Sequence, residues 1–478
     1  MKRMLKILSV ITVSVMLLCG CAEDDDTGGQ VSETSSVTVE SSAENLHKQE
    51  EISDTQKSGS ESSKESSVQS SEESPPEISE EDSSQSGEVP EDESSEAESS
   101  DISEAEQSEE ISAEISDEPE RIVDKSIVYG FEKKYFVKRL DEKMLDTFLY
   151  MYDAVQHFDM TARFKEPIQS NDLDTLMFLL NYECPEFIQL NGDYSPIYTD
   201  ESEENVSGVY FTYNMSEQEY EKHSDELKQF FEKLKADIGE ADEFEKEKYV
   251  YNTIFSECIY DDSDDYSGTV WGTLINHIGR CEGICKSFMW CMRELDVECM
   301  CVSGVPKWET DAVYTGHSWN IVKIDGEYYQ LDLTVDNLKY LFSDVNYPNY
   351  GFFNVNDDFN NQTHEIYDFY NELGVPECES ENMNYHKLND LFVYADCDIE
   401  QQTKKILENN FSEGIINNIS IKFETLPAMN KACTHFAEWL KEFFEEKEIS
   451  SYDHRFDCDQ ICHTITVYAE VSSENGDE

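Results

Sequence analysis

Three side chains in this sequence have the types and the order that sulfur chemistry needs. Cys281 lies in Gly279-Arg280-Cys281-Glu282-Gly283, His317 in Gly316-His317-Ser318-Trp319-Asn320, and Asp332 in Leu331-Asp332-Leu333-Thr334. A thiol becomes a strong nucleophile when an imidazole takes its proton, and a carboxylate that orients the imidazole completes the set. Such a set attacks acyl carbonyls through a thioester. Singly, each residue has a plainer reading: a helix-start cysteine is usually structural, a strand histidine is usually a satisfied core residue, and an aspartate often anchors a turn. Their order and mutual placement carry the catalytic reading.

The elements that must position them are legible. After Gly279, residues Ile284, Phe288, Met292 and Leu295 recur at helical spacing, so Cys281 falls in the first turn of an amphipathic helix. The positive end of the helix dipole favours a thiolate there, and unpaired backbone N–H groups are available to an oxyanion. Gly283 is expected to keep this turn slim beside an incoming acyl group. Glu282 opposes thiolate formation unless it points to solvent. Residues 317–324 and 327–334 read as two strands joined by Asp325-Gly326, a strong two-residue turn signal. In the register that pairs Ile324 with Glu327, Trp319 faces Asp332 and His317 faces Thr334. His317 and Asp332 are then diagonal neighbours on one face, roughly 7–8 Å apart at the backbone. The opposite face, with Val322, Ile324, Tyr329, Leu331 and Leu333, is expected to be the buried one, and Trp319 is expected to line the cleft. Asp336 and Asn337 read as capping the following loop.

These motifs resemble the transglutaminase-like superfamily, in which a Gly-x-Cys-x-Gly opens the nucleophile helix. A His-x-Trp-Asn strand supplies the base, and an Asp-x-Thr strand after an Asp-Gly turn supplies the orienting acid. Cys281, His317 and Asp332 match these positions one by one. Flanking features match as well: Tyr260-Asp261, Val302-Ser303-Gly304, and Phe352-Phe353-Asn354-Val355 with His364 further on. The likeness covers about residues 245–365. Ile284 stands where the family often has an aromatic residue, and Val335 and Asn337 replace a common Trp and Asp. The resemblance implies an α+β, papain-like core, a Cys-His-Asp triad acting on peptide or amide bonds, and no cofactor. Hydrolysis is favoured over transfer to an amine. The reading from another class is a cell-surface interaction protein that uses this fold only as a scaffold.

The chain has 478 residues and a formal net charge of −70, which argues against nucleic acid as a partner. Residues 1–21 resemble a bacterial lipoprotein signal: Lys2, Arg3 and Lys6, an apolar run from Ile7 to Leu18, then Leu18-Cys19-Gly20-Cys21, with Cys21 as the lipidation site. Residues 22–120, dominated by Ser, Glu and Asp, cannot bury enough apolar surface to fold and read as a disordered tether. Its flexible-chain span is at least roughly 50–60 Å. The expected location is the extracytoplasmic face of the cell membrane, with a lipid anchor and a protein or peptide substrate in the envelope.

Residues 121–244 read as an N-terminal α/β extension, 245–370 as the catalytic core and 385–472 as a small C-terminal α/β unit. In the extension, a helical stripe covers 140–158, strands are expected at Phe187–Leu190 and Val209–Tyr213, and Ser216-x-x-Glu219 caps a helix to about Ile238, followed by one from Glu243. In the tail, Leu391–Tyr394, Ile419–Phe423 and Thr464–Val471 read as strands, and helices follow Asp398 and cover Lys431–Phe444. Of the 14 cysteines, most are expected to be buried free thiols. Cys281-x3-Cys285 and Cys458-x3-Cys462-His463 lack the usual spacing of zinc ligands, so no metal is expected. A Cys281–Cys285 bridge would silence the nucleophile.

Overall fold

Strands and helices in the computed structural model follow from local signals read in order. The structure describes residues 123–307, 316–340 and 347–472. The expected signal segment with Cys21, and the tether, lie outside the described residues. Helix α1 (Glu142–Gln156) starts at Asp141, whose side chain accepts from the Met144 N–H, and buries Phe148, Met151, Tyr152 and Val155. Strand β1 (Thr161–Gln169) leads into α2 (Ser170–Tyr182), then β2 (Leu190–Tyr198) and β3 (Asn205–Tyr213). The three strands form an antiparallel sheet in the order β1-β3-β2. The strand expected at Phe187–Leu190 is instead a pair of turns leading into β2: the Phe187 N–H bonds Cys184 and the Leu190 N–H bonds Phe187. The apolar run there serves burial, since Phe187, Ile188 and Leu190 are all core residues. Helix α3 (Glu217–Ile238) carries the expected capping box between Ser216 and Glu219, and α4 (Glu243–Glu257) follows.

The central layer begins with β4 (Ile259–Tyr260), which pairs in parallel with β5 (Ile278–Gly279). Helix α5 (Cys281–Glu294) buries Ile284, Phe288 and Met292 as the spacing predicts. It packs on a four-stranded antiparallel sheet ordered β8-β7-β6-β9, formed by β6 (Cys299–Pro306), β7 (His317–Ile324), β8 (Glu327–Leu331) and β9 (His364–Ile366). The hairpin register is the expected one, with Ile324 opposite Glu327 and Asn320 opposite Leu331. Its turn residues Asp325 and Gly326 have φ of 53° and 86°, as a two-residue hairpin turn demands. The second strand, however, stops at Leu331 rather than running to residue 334. The Asp332 N–H bonds the Phe352 carbonyl, its Oδ1 accepts from the Thr334 N–H at 2.9 Å, and α6 (Leu333–Tyr340) begins at once. Asp332 thus ends a strand and caps a helix.

Both faces of β7 are buried, which corrects the expectation of one covered face. Val322, Ile324, Tyr329, Leu331 and Leu333 share a core with α5. Trp319 and Ile321, on the other face, pack into a second core with Phe148, Tyr152, Leu176 and Leu180 from α1 and α2. The chain ends with β10 (Phe392–Val393), α7 (Ile399–Asn410), β11 (Phe411–Ser412), β12 (Ile415–Phe423), α8 (Leu426–Glu446), β13 (Tyr452–Asp459) and β14 (Thr464–Val471). Their sheet runs β10-β12-β14-β13, with β11 paired to β12. Strand β13, not anticipated, is an edge strand with alternating exposure and charged outward residues. Leu440, Phe444 and Ile465 belong to the same core cluster as α5, so the tail is packed on the central layer. Cys433 and Cys458 form a disulfide from α8 to β13. Among the described residues no helix is long and apolar enough to cross a membrane.

Candidate active site

Cys281 is the first residue of α5, after Arg280 as N-cap, and no side chain caps the helix. Parallel pairing of Tyr260 with Gly279 brings the Tyr260 side chain to Cys281, whose backbone N–H donates to the Tyr260 hydroxyl. His317 opens β7, is 7% exposed, and donates from Nε2 to Asp332 Oδ2 at 2.7 Å. Its ring also hydrogen-bonds Cys281. The structure therefore brings the three predicted residues together as thiol, imidazole and carboxylate. Burial works against an imidazolium, but the charge and hydrogen bond of Asp332, then those of Cys281, outweigh it and raise the His317 pKa to about 10. Burial likewise opposes ionisation of Asp332, yet the His317 charge and hydrogen bonds from His317 and His364 hold its carboxyl well below the usual range. The pair is held as an ion pair.

Two cleft assignments change. Gly283 is buried under the chain, where an added Cβ would lie 2.1 Å from the Ser267 carbonyl oxygen. Its lack of a side chain serves that close backbone approach and not an acyl group. Trp319 is only 2% exposed and donates from its indole to Gln330 Oε1 at 2.8 Å. It lies nearly parallel to His317, with ring centroids 6.1 Å apart, and supports the imidazole from within the core.

Glu282 does not point to solvent. Arg280 at 2.6 Å, Lys286 at 3.0 Å and Asn181 at 2.7 Å surround it. Burial opposes its charge, but Lys286 and Arg280 overcome this and lower its pKa to about 2. Its charge is spent within this cluster, so it does not confront the thiolate unpaired. Asn181 and its neighbour Tyr182, which hydrogen-bonds Ser318 at 3.0 Å, come from α2, so the N-terminal segment walls the site. That the N-terminal extension could shape one wall of the cleft was readable from the sequence, but no motif singled out Asn181 and Tyr182, although Leu173, Leu176 and Leu180 give α2 a helical stripe. Cys285 is a free thiol that donates to the Trp319 carbonyl. Asp336 accepts from the Tyr251 hydroxyl at 2.6 Å and the Tyr350 N–H at 3.0 Å, binding α6 to its neighbours.

His364 is the member that the motifs did not assign. Its Nε2 lies 3.2 Å from the same Asp332 oxygen. Two imidazoles and one carboxylate, all buried, form the one group of potential metal ligands found among the described residues. A separation of 2.7 Å between His317 Nε2 and Asp332 Oδ2 is a direct hydrogen bond. An ion bonded to both at about 2.1 Å would wedge them further apart, so this arrangement fits protons rather than a metal.

Residues 232–333 match the family model described as the transglutaminase-like superfamily, a span that contains all three triad residues. This part of the chain is a transglutaminase-like core within an α+β, papain-like fold. Two solved structures are similar at low identity. One, named "Crystal structure of a TGase", is 15% identical, with 36% of this chain and 50% of that chain covered and a TM-score of 0.21. The other, named "Putative Cysteine Protease from Cytophaga hutchinsonii", is 12% identical, with 30% and 65% covered and a TM-score of 0.20. The chain thus spans between half and two thirds of the length of these two. No curated protein matches it.

Proposed function

We propose that this protein is a cysteine-dependent enzyme acting on peptide or amide bonds, with Cys281 as nucleophile, His317 as base and acid, and Asp332 as the group that holds the imidazole. The observation that carries this reading is the chain of contacts from a thiol at a helix start, through His317, to a buried Asp332 at 2.7 Å. The Cys281 thiolate attacks the carbonyl carbon, and the oxygen takes up the charge beside the Tyr260 hydroxyl at the start of α5. His317 passes its proton to the leaving amine, which departs as the thioester forms. Water, losing a proton to His317, then attacks the thioester, releases the acid and restores the thiol. Hydrolysis is favoured over transfer because water needs no binding site of its own.

We place the enzyme on the extracytoplasmic face of the membrane, anchored by a lipid on Cys21, because Leu18-Cys19-Gly20-Cys21 closes an apolar, positively led N-terminal segment. The test of activity is incubation of the protein with a pool of envelope peptides, analysed by mass. Cleavage fragments absent with Cys281→Ala support a hydrolase, and amine-linked products of higher mass convert the assignment to a transferase. If neither forms while wild type and Cys281→Ala bind one partner equally, the fold serves as a scaffold. Membrane fractionation of Cys21→Ser tests the anchor.

A further inference from the structure

We propose that His364 is a positioning residue of the triad, holding the Asp332 carboxylate in place while His317 gains and loses its proton. The inference rests on the triad reading above. Asp332 lies just beyond the end of β8, so no strand pairing fixes its side chain. Its orientation comes from donors. Oδ1 accepts from the Thr334 N–H at 2.9 Å, and Oδ2 accepts from His364 Nε2 at 3.2 Å as well as from His317 at 2.7 Å. Two of these three bonds are independent of His317. The carboxylate is therefore held at both oxygens even when the His317 bond changes character during catalysis.

The proton arrangement on His364 follows by elimination. Burial keeps this ring below the ordinary imidazole pKa, so it carries one N–H. Nε2 faces a carboxylate, which cannot donate, whereas Nδ1 lies 2.9 Å from Thr363 Oγ1, a hydroxyl whose one proton is shared between Nδ1 and the Asn360 carbonyl oxygen 3.2 Å away. The proton therefore sits on Nε2 and is donated to Asp332, while Nδ1 accepts from Thr363. The Asn360 carbonyl also lies within reach of the ring, but an anionic oxygen is the stronger acceptor.

The fold fixes this geometry. Strand β6 pairs with both histidine-bearing strands: Gly304 faces His317 on one side and Ile366 on the other, and Pro306 faces His364. A Cβ at Gly304 would lie 2.0 Å from the Glu365 carbonyl oxygen, so only glycine lets β9 approach this closely. The His364 ring is fully buried, with Trp319 and Phe352 centroids at 4.8 and 5.0 Å. It cannot swing away from Asp332 without breaking that packing.

The test uses the full chain and reads the rate of Cys281 alkylation by iodoacetamide near neutral pH, mapped by peptide mass, so it needs no known substrate. His364→Leu removes the donor and should slow alkylation about 10-fold. His364→Gln can place an amide N–H where Nε2 stood and should recover most of the rate. His364→Asn, whose amide reaches only to the Nδ1 position, should stay slow. Should His364→Leu fail to fold, the Gln and Asn pair decides. Wild-type rates in both Leu and Asn variants, or equal impairment of Gln and Asn, overturn the inference. So does loss of the wild-type rate on chelation with recovery on added zinc, which would make the cluster a metal centre. If His317→Ala leaves the wild-type rate unchanged, the failure lies instead with the triad reading.

Discussion

Replacing Asp332 with asparagine should cost Cys281 its reactivity, and the structure gives the size of the effect. His317 is raised from 6.5 to about 10, a rise of roughly 3.5, or about 5 kcal/mol of preference for the imidazolium. Burial acts against this, and both contributions of Asp332 exceed both of Cys281. Asp332 therefore supplies more than half of a push larger than the net rise, and its neutral replacement should lower the imidazolium pKa by about two or more, roughly 100-fold in the ion pair. An unassisted thiol, with a pKa of about 8.5, is still roughly 3% ionised at pH 7, so the observable fall saturates near 30-fold. The assay is iodoacetamide alkylation of Cys281 against pH. Wild type should react faster than Asp332→Asn at neutral pH. An unchanged rate at pH 7 in a folded Asp332→Asn variant would refute the reasoning. Stability provides a second readout. The raised His317 pKa stabilises fully below about 6.5, and this is lost as pH climbs towards 10. The lowered Asp332 pKa stabilises above its unfolded value of 3.8 and is lost as pH falls. The gap in stability between wild type and Asp332→Asn should therefore be widest between about pH 4 and 6.5 and close on either side.

Two further outcomes are expected. Gly283→Ala drives a Cβ to within 2.1 Å of a backbone oxygen, so it should destabilise the folded chain by about 1–3 kcal/mol in denaturant titration, and unaltered stability would contradict the close approach. Reduction of Cys433–Cys458, which closes a loop with a separation of 25 residues, should lower stability by about 3 kcal/mol, and an unfolding midpoint indifferent to reductant would show that the bridge does not constrain the tail.

The triad was legible because its signals are local or nearly so. Helix α5 announces itself by period, and the hairpin by an Asp-Gly turn between alternating strands; together they fix where His317 and Asp332 meet. What the sequence hid lies at long range. Glu282 is offset by Arg280 and Lys286 close by in sequence, but the cluster is completed by Asn181, 101 positions earlier. Trp319 looks like a cleft residue because nothing in β7 says that α1 and α2 cover that face. Strand β8 ends early because Asp332 finds the Phe352 carbonyl and the Thr334 N–H, partners that a hairpin rule does not consider. His364 lies 32 positions beyond Asp332, joined to it only through the pairing of β6 with β9.

The abundance of cysteine sharpens the case for one nucleophile. Ten free thiols are described, and eight of them are buried. Burial raises the pKa of Cys184, Cys258, Cys285, Cys291, Cys299 and Cys378, so these remain protonated and behave as small apolar groups. Cys397 is exposed but hydrogen-bonds Asp396, which raises its pKa further, so access alone does not make it reactive. Cys281 differs on both counts: it is partly exposed, and its neighbour is an imidazolium held by a buried carboxylate rather than another acid. Thiolate chemistry needs access and a stabilising positive charge together. Among the described thiols that carry either feature, Cys281 combines the two, and it does so at the first residue of α5.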